Sequence, residues 1–328
     1  MNDPNFYSSN KKTKIVFCGH FAIDNIIRFE EERKQTLGGG VTYGSLALKI
    51  YTDNVWIGIV SSLGSLNFNE KLLEEIHNRE INLAGVTRFN TSNTNFVLNY
   101  YNHSRDLRLV SKSPNLDFNN FPSDYLLQEL DGIILCPLCN EIDIEYIKSL
   151  KNNLKDCYIA IDIQGFIRKI DDNGHIRLRS DDEFKQEVAY MIDILDEMLI
   201  LKGSEEEMYA LSGISDPIES IKNLATNDSM IITTLGTNGS LIAKRGKDII
   251  KIPAFKSDRV VDETGAGDAY MSVFLYEFIN SSKDWDAVKK SGYYASAAAS
   301  FLVESKGPKG FQPKEKVLER ISNKNYID

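Results

Sequence analysis

The chain has 328 residues, 42% hydrophobic and 26% charged, an ordinary globular mix that excludes a mainly disordered, collagen-like or low-complexity chain. Its 38 basic and 47 acidic residues give a net charge of −9 with no long basic stripe, which argues against a nucleic-acid binder but leaves room for a small phosphorylated ligand, since that needs only local positive charge. The four Cys are too few for a disulfide scaffold, the start MNDPNFYSSNKK is polar, and apolar runs such as Ala295–Val303 are short; with no signal peptide and nothing near the ~18 apolar residues of a spanning helix, a soluble cytoplasmic protein without membrane attachment is expected.

Short apolar runs alternate with helical patterns along the chain. Lys14–Phe17 reads as a first strand, ended by Gly19. The triplet Gly38–Gly40 opens an apolar helix pattern over Tyr43–Ile50. Val55–Val60 reads as a strand before a polar helix pattern over Asn69–Arg79. Gly132–Leu135 is of the buried-strand type, and Ile144, Ile147, Leu150 and Leu154 then recur at helical spacing. A strand at Tyr158–Ile163, a helix over Phe184–Leu195 and a strand at Met198–Leu201 follow. Ser204–Leu211 is helical, and Ser204 with Glu207 three residues on is a capping-box signature. Met230–Thr234 and Leu241–Ala243 are strands around a turn at Gly236–Gly239. Arg259–Val261 reads as strand-like before a helix from Ala269 to Ile279. Strands alternating with helices imply βαβ units and a mostly parallel sheet. Two stretches break the alternation. Ile26–Thr36 is charged, and Asn95–Val110 has a strand-like core at Phe96–Tyr101. These two are expected to pair as a small accessory sheet.

The strongest motif is Asp262-Glu263-Thr264-Gly265-Ala266-Gly267-Asp268. Gly265 and Gly267 let the backbone turn sharply and expose its N–H groups, and the helix N-terminus adds partial positive charge. Together they suit a phosphoryl group. Asp268 in the first helical turn points at the same place and can accept a proton from an attacking hydroxyl. The plainer reading is a capped helix with an acidic first turn. At a helix N-terminus Asp268 is expected to have a low pKa.

Gly38-Gly39-Gly40 allows close approach of a polar ligand, or serves as a tight strand-to-helix turn. It is not a dinucleotide fingerprint, because Tyr43 stands where the third glycine belongs. Thr234-Leu235-Gly236-Thr237-Asn238-Gly239 reads as a hairpin whose Thr234 hydroxyl can meet a phosphate. Cys136-Pro137-Leu138-Cys139 has redox-motif spacing but does not open a helix, so buried cysteines at a strand end are the expectation.

DETGAGDAY resembles the DTxGAGD signature of the ribokinase family, the phosphofructokinase-B carbohydrate kinases. The glycine turn, the TLGxxG loop and the terminal helix pair fall in that family's order, from about Ile15 to Gln312. The segment Asp162–Arg168 together with GGGVTYG is similar to the branch holding the myo-inositol kinases. The resemblance implies a kinase domain over about 14–322, a three-layer α/β/α sandwich with a mostly parallel central sheet. A small β lid would come from insertions at about 25–37 and 95–111. It implies ATP with its phosphates near Thr234, Gly236, Gly239 and the Gly265-Ala266-Gly267 turn, and Asp268 as base. Ser204 would contact phosphate or water, and Glu207 would serve Mg²⁺. Asp24, Gly38, Gly39, Gly40, Gln164 and Arg168 would meet the substrate, with Arg168 able instead to clamp the γ-phosphate or to stand as a plain surface arginine.

The sequence departs from the family where Ser204-Glu205-Glu206-Glu207 replaces Asn-x-x-Glu. Tyr43 and Gly44 stand where ribokinases have the Asn of GG-x-x-x-N, which disfavours plain ribose. Glu263 replaces the second residue of the DT pair. The expected activity is ATP-dependent phosphorylation of a hydroxyl on a small sugar or cyclic polyol, with myo-inositol first and a nucleoside second. A homodimer through the lid stays open. The rivals are a non-catalytic sugar- or nucleotide-binding protein and a thiol oxidoreductase using Cys136 and Cys139.

Overall fold

In the computed structural model, which describes residues 11–28, 34–101 and 104–327, the apolar runs of the sequence become strands. In chain order these are β1 (Thr13–Cys18), β2 (Ala22–Arg28), β3 (Lys34–Gly38), β4 (Val55–Gly64), β5 (Asn82–Phe89), β6 (Asn95–Tyr101), β7 (Ser104–Ser111) and β8 (Gly132–Leu135). There follow β9 (Tyr158–Asp162), β10 (Arg168–Ile170), β11 (Ile176–Leu178), β12 (Leu199–Ser204), β13 (Met230–Thr234), β14 (Ser240–Ala243) and β15 (Ile250–Ile252). Seven of them form a parallel sheet in the order β13-β12-β9-β8-β1-β4-β5, and β14 and β15 extend the β13 edge antiparallel.

Side-chain alternation splits each central strand between two cores. Ile15 and Phe17 of β1 face the helices Gly40–Tyr51, Ala266–Ile279 and Trp285–Leu302, while Val16 and Cys18 face Ile144–Asn153, Asp182–Leu195 and Glu205–Ser212. In β13 Ile232 and Ile231 divide the same way. A strand covered on both faces must be apolar at consecutive positions, which is why KIVF, GIIL and MIIT stand out in the sequence. The result is the expected three-layer α/β/α sandwich. The helix Ala266–Ile279 is buried at every position from Ala269 to Tyr276, so packing on all sides fixes where its N-terminus points.

A second, four-stranded sheet in the order β3-β2-β6-β7 arises from the two stretches that break the alternation. Residues 29–33 and 102–103 of those stretches lie outside the described residues. The inner face of this sheet, with Ala22, Phe96 and Leu98, packs on Leu138 and Cys139 and on Ile170 and Ile176 of the β10–β11 hairpin. Its root is a buried polar knot. The Glu141 carboxylate accepts backbone N–H bonds from His20, Leu138 and Cys139. His20 bridges Pro114 O (2.9 Å) and Thr94 Oγ1 (2.8 Å) through its two ring nitrogens. His20, Cys139 and Glu141 lie close enough to suggest a metal site, but these bonds already occupy the imidazole and the carboxylate.

The expected strand at Arg259–Val261 does not form. Val261 N–H bonds to Val303 O, and the Arg259 side chain donates to Glu304 O, so the segment hangs on the end of the helix Trp285–Leu302. Val260 stays 68% exposed. Its β-branched residues imitate a strand, but among the described residues no strand pairs with it. Among the described residues no helix is long and apolar enough to cross a membrane.

Candidate active site

The C-terminal ends of β9, β12 and β13, the N-terminus of the helix Ala266–Ile279 and the small sheet enclose a cleft of about 520 Å³. Clefts at this edge of a parallel sheet are where open α/β folds bind ligands. Asp24, Gly39, Gly40, Gln164 and Arg168 line one end, and Thr234, Gly236 and Gly239 the other. Ser204, Glu207, Gly265, Ala266, Gly267 and Asp268 line the stretch between. Of the residues expected to meet donor, acceptor or metal, Gly38 alone is not among the lining residues. A Cβ there would run into the Asp24 carboxylate, so Gly38 makes room for Asp24 rather than for a ligand.

The turn before Asp268 depends on Gly265, which caps the helix at φ 86°; a Cβ there would also enter the Tyr43 ring. Gly267 does not share this requirement, contrary to the expectation that both glycines shape the turn. It lies inside the helix, and an added Cβ would meet the Lys202 Nζ at 3.1 Å. Gly267 therefore provides space, not backbone freedom.

Asp268 departs from the expected low pKa. Burial, followed by the negative charge of Asp162, pushes it up to about 7, against the opposing pull of Lys202 and Arg168. The helix terminus that should lower it is outweighed by desolvation.

Lys202 escaped the sequence reading. It follows the apolar run LIL of β12, and Asp162 closes YIAI in β9. The two are register neighbours, joined by an ion pair of 2.7 Å with almost no exposure. Burial alone would lower the pKa of Lys202, but the carboxylates of Asp162, Glu207 and Asp268 outweigh it and hold the ammonium above its ordinary range. A lone Lys directly after a buried apolar run was the available signal.

Ser204 and Glu207 form the anticipated capping box. Ser204 N–H donates to Glu207 Oε2 at 2.7 Å, and Glu207 N–H donates to Ser204 Oγ at 3.3 Å. Burial and the charge of Asp162 raise the Glu207 pKa, with Lys202 opposing. The Thr234 hydroxyl donates weakly to Gly203 O at 3.4 Å. Beyond Gly239 the cleft is lined by Ala254, Phe255, Val260, Ala299, Val303 and Ile327, a largely apolar slot with Ser257, Ser296 and Ser300 among them.

At the other end Arg168 Nη1 donates to Leu138 O at 2.9 Å, and Gln164 N–H donates to Asp162 Oδ1 at 3.2 Å. The same end is also lined by the apolar Phe96, Leu98, Leu107 and Leu138. Cys136 and Cys139 are buried, and burial holds both thiols well above their ordinary range. A redox pair needs accessible thiols of lowered pKa, so this geometry argues against the oxidoreductase rival. Glu263 is an exposed residue at the cleft rim, and nothing in the structure explains its replacement of Thr.

A sequence model described as pfkB family carbohydrate kinase matches residues 55–315. A nucleoside kinase from Methanocaldococcus jannaschii is 41% identical over 92 residues, 28% of this chain; the match spans 29% of that relative's own length. Among solved structures, fructokinase with bound ATP from Xylella fastidiosa superposes with a TM-score of 0.77 at 16% identity, covering 95% of this chain and 99% of that one. A pyrophosphate-dependent kinase of the ribokinase family, complexed with a pyrophosphate analogue and myo-inositol, gives a TM-score of 0.71 at 18% identity, covering 93% and 99%. At such identities the two structures share the fold.

Proposed function

The chain belongs to the pfkB family of carbohydrate kinases, and from that premise we propose that it moves the γ-phosphoryl group of ATP to a hydroxyl of a nucleoside or sugar. The observation that carries this reading is Asp268. It stands where the two ends of the cleft meet, beside the Gly265–Gly267 turn, with a pKa near 7. A carboxylate so poised is a better proton acceptor at neutral pH than an ordinary Asp. The acceptor oxygen attacks phosphorus, the bond to the ADP oxygen breaks, and the hydroxyl proton passes to Asp268. Positioning and charge neutralisation supply most of such catalysis. Asp24, Gln164 and Arg168 orient the acceptor, and the turn amides face the phosphoryl group.

The largely apolar slot beyond Gly239 supports ATP as donor. A purine base fills such a slot, whereas pyrophosphate has no apolar part to place there. Five carboxylates (Asp24, Asp162, Glu207, Glu263, Asp268) face two cations (Arg168, Lys202) along the cleft. A polyphosphate entering this excess of negative charge requires a metal cation, and hard carboxylate oxygens fit Mg²⁺. Glu207, with one oxygen already anchored by Ser204, would hold it. Bound there, Mg²⁺ would neutralise donor phosphate charge.

For the acceptor, the wall of Phe96, Leu98, Leu107 and Leu138 reverses the order expected from sequence and favours a nucleoside, its base on the wall and its ribose hydroxyls toward Asp24. An inositol would turn hydroxyls toward that wall and leave them unpaired. The polar trio Asp24, Gln164 and Arg168 keeps a cyclic polyol as the second reading. The test is kcat/KM across nucleosides, myo-inositol and hexoses, with ATP and with pyrophosphate. A preference for myo-inositol over every nucleoside by more than about tenfold, roughly 1.4 kcal/mol, overturns the acceptor assignment. Faster turnover with pyrophosphate overturns the donor assignment.

A further inference from the structure

We propose that Lys202 is a catalytic residue whose ammonium touches the phosphoryl group during transfer, and that Asp162 is its positioning residue; this rests on the phosphoryl-transfer reading above.

The fold does not need this ion pair. β9 and β12 are otherwise apolar up to Asp162 and Lys202, and a buried ion pair is seldom more stabilising than apolar side chains of the same volume. An ammonium carries three N–H donors. Among the described residues Asp162 is the one hydrogen-bonding partner of Lys202, at 2.7 Å, and the Lys202 side chain is 5% exposed. Its remaining donors have the cleft to point into, because Lys202 lines it.

Gly267 supplies a second, independent observation. Its backbone conformation is open to any residue, yet the space beside its Cα is empty as far as the ammonium. An atom at the Cβ position would lie 3.1 Å from Lys202 Nζ, with Lys202 Cε next at 3.9 Å. A side chain there would press on the ammonium, so glycine at this position leaves the cleft side of Lys202 uncovered. The N-terminus of the helix Ala266–Ile279 opens beside the same point, so an anion there has backbone amides on one side and an ammonium on the other. Asp268 follows next in the chain.

In the transfer step the acceptor oxygen–phosphorus bond forms. The phosphorus–oxygen bond to ADP breaks, with its electron pair staying on ADP, and the acceptor proton goes to Asp268. Lys202 keeps its proton throughout and neutralises charge on an equatorial phosphoryl oxygen. Asp162, fixed at the end of the neighbouring strand, holds the ammonium in that place.

The experiment compares wild type, Asp162→Asn, the double variant Lys202→Met/Asp162→Asn and Gly267→Ala in steady-state kinetics and thermal melting. The double variant leaves no buried charge at the pair, and Ala improves helix propensity, so both should melt at or above the wild-type temperature. The double variant should lose at least about 100-fold in kcat, with KM for ATP and acceptor changed by less than about threefold. Gly267→Ala should lose at least about tenfold in kcat, because its methyl group presses on the Lys202 ammonium and displaces it. Asp162→Asn should lower kcat about tenfold at unchanged KM, a split that a purely structural role would not produce. A folded double variant, or Gly267→Ala, with wild-type kcat overturns this proposal alone. Wild-type protein that binds ATP but phosphorylates no acceptor overturns the kinase reading, and this proposal with it.

Discussion

Replacing Asp268 by Asn should slow turnover by orders of magnitude and stabilise the protein, and the two effects share one cause. Burial and the Asp162 charge raise Asp268 from 3.8 to about 7. Each pKa unit corresponds to 1.36 kcal/mol, so ionising this carboxylate in the fold costs up to about 4 kcal/mol. Water reaching the half-buried group reduces that to the order of 1–3 kcal/mol. Below about pH 4 the carboxyl is protonated in both folded and unfolded chains, and no penalty exists. Between about pH 4 and 7 the unfolded chain releases the proton while the folded one keeps it, so stability falls as pH rises. Above about pH 7 the penalty is complete. Asn carries none of it. The melting temperature of Asp268→Asn should therefore match wild type at pH 4 and exceed it at pH 8, with the gap opening between. Wild-type kcat/KM should climb about tenfold per pH unit up to about 7 and then level off. In the variant kcat should drop by about 10²–10⁴, the usual worth of a general base. Paired pH series of thermal melts and initial rates measure both effects. A stability gap that is absent at pH 8, or constant across pH, refutes the burial argument. Retained kcat refutes the base assignment.

Gly265→Ala places a side chain at φ 86° and against the Tyr43 ring; strain of about 1–3 kcal/mol should lower the melting temperature and displace Asp268, seen as lost kcat in the folded fraction. Leu107→Ser removes part of the apolar wall and should raise KM for nucleosides about tenfold, as expected for losing about 1–2 kcal/mol of apolar contact, while leaving KM for myo-inositol nearly unchanged. Glu207→Gln removes the charge meant for the metal and should move the half-saturating Mg²⁺ concentration up by about 10–100-fold, read by titrating Mg²⁺ at fixed ATP; an unchanged midpoint would free Glu207 of that role.

The strands of the central sheet were legible because two covered faces force continuous apolar runs, as in Gly132–Leu135 and Met230–Thr234, whose bounds match those read from sequence. The same logic failed at Arg259–Val261, where two valines imitate a strand that pairs with no other among the described residues. It also passed over β5 and β7, whose polar residues interrupt the apolar pattern. At the site, the GAGD turn was legible because its chemistry is local: a glycine cap, helix amides and an acidic first turn lie within a few residues. The pKa of Asp268 was not, because sequence shows the helix terminus and hides the burial and the Asp162 charge that oppose it.

Lys202 and Asp162 show where legibility ends. Each is a polar residue directly after a buried apolar run, as Thr234 is after MIIT. Such a residue sits at the C-terminal edge of the sheet, where a parallel α/β fold places its ligands. That rule alone would have marked Asp162, Lys202 and Thr234 as candidates. It could not have joined the first two, because their contact requires β9 beside β12 in one particular register. Chain order does not supply that adjacency, since the helix Asp182–Leu195 and the β10–β11 hairpin lie between the two strands. The chemistry of single residues is thus written at strand ends, and the pairing that makes them act on one phosphoryl group is written in the topology.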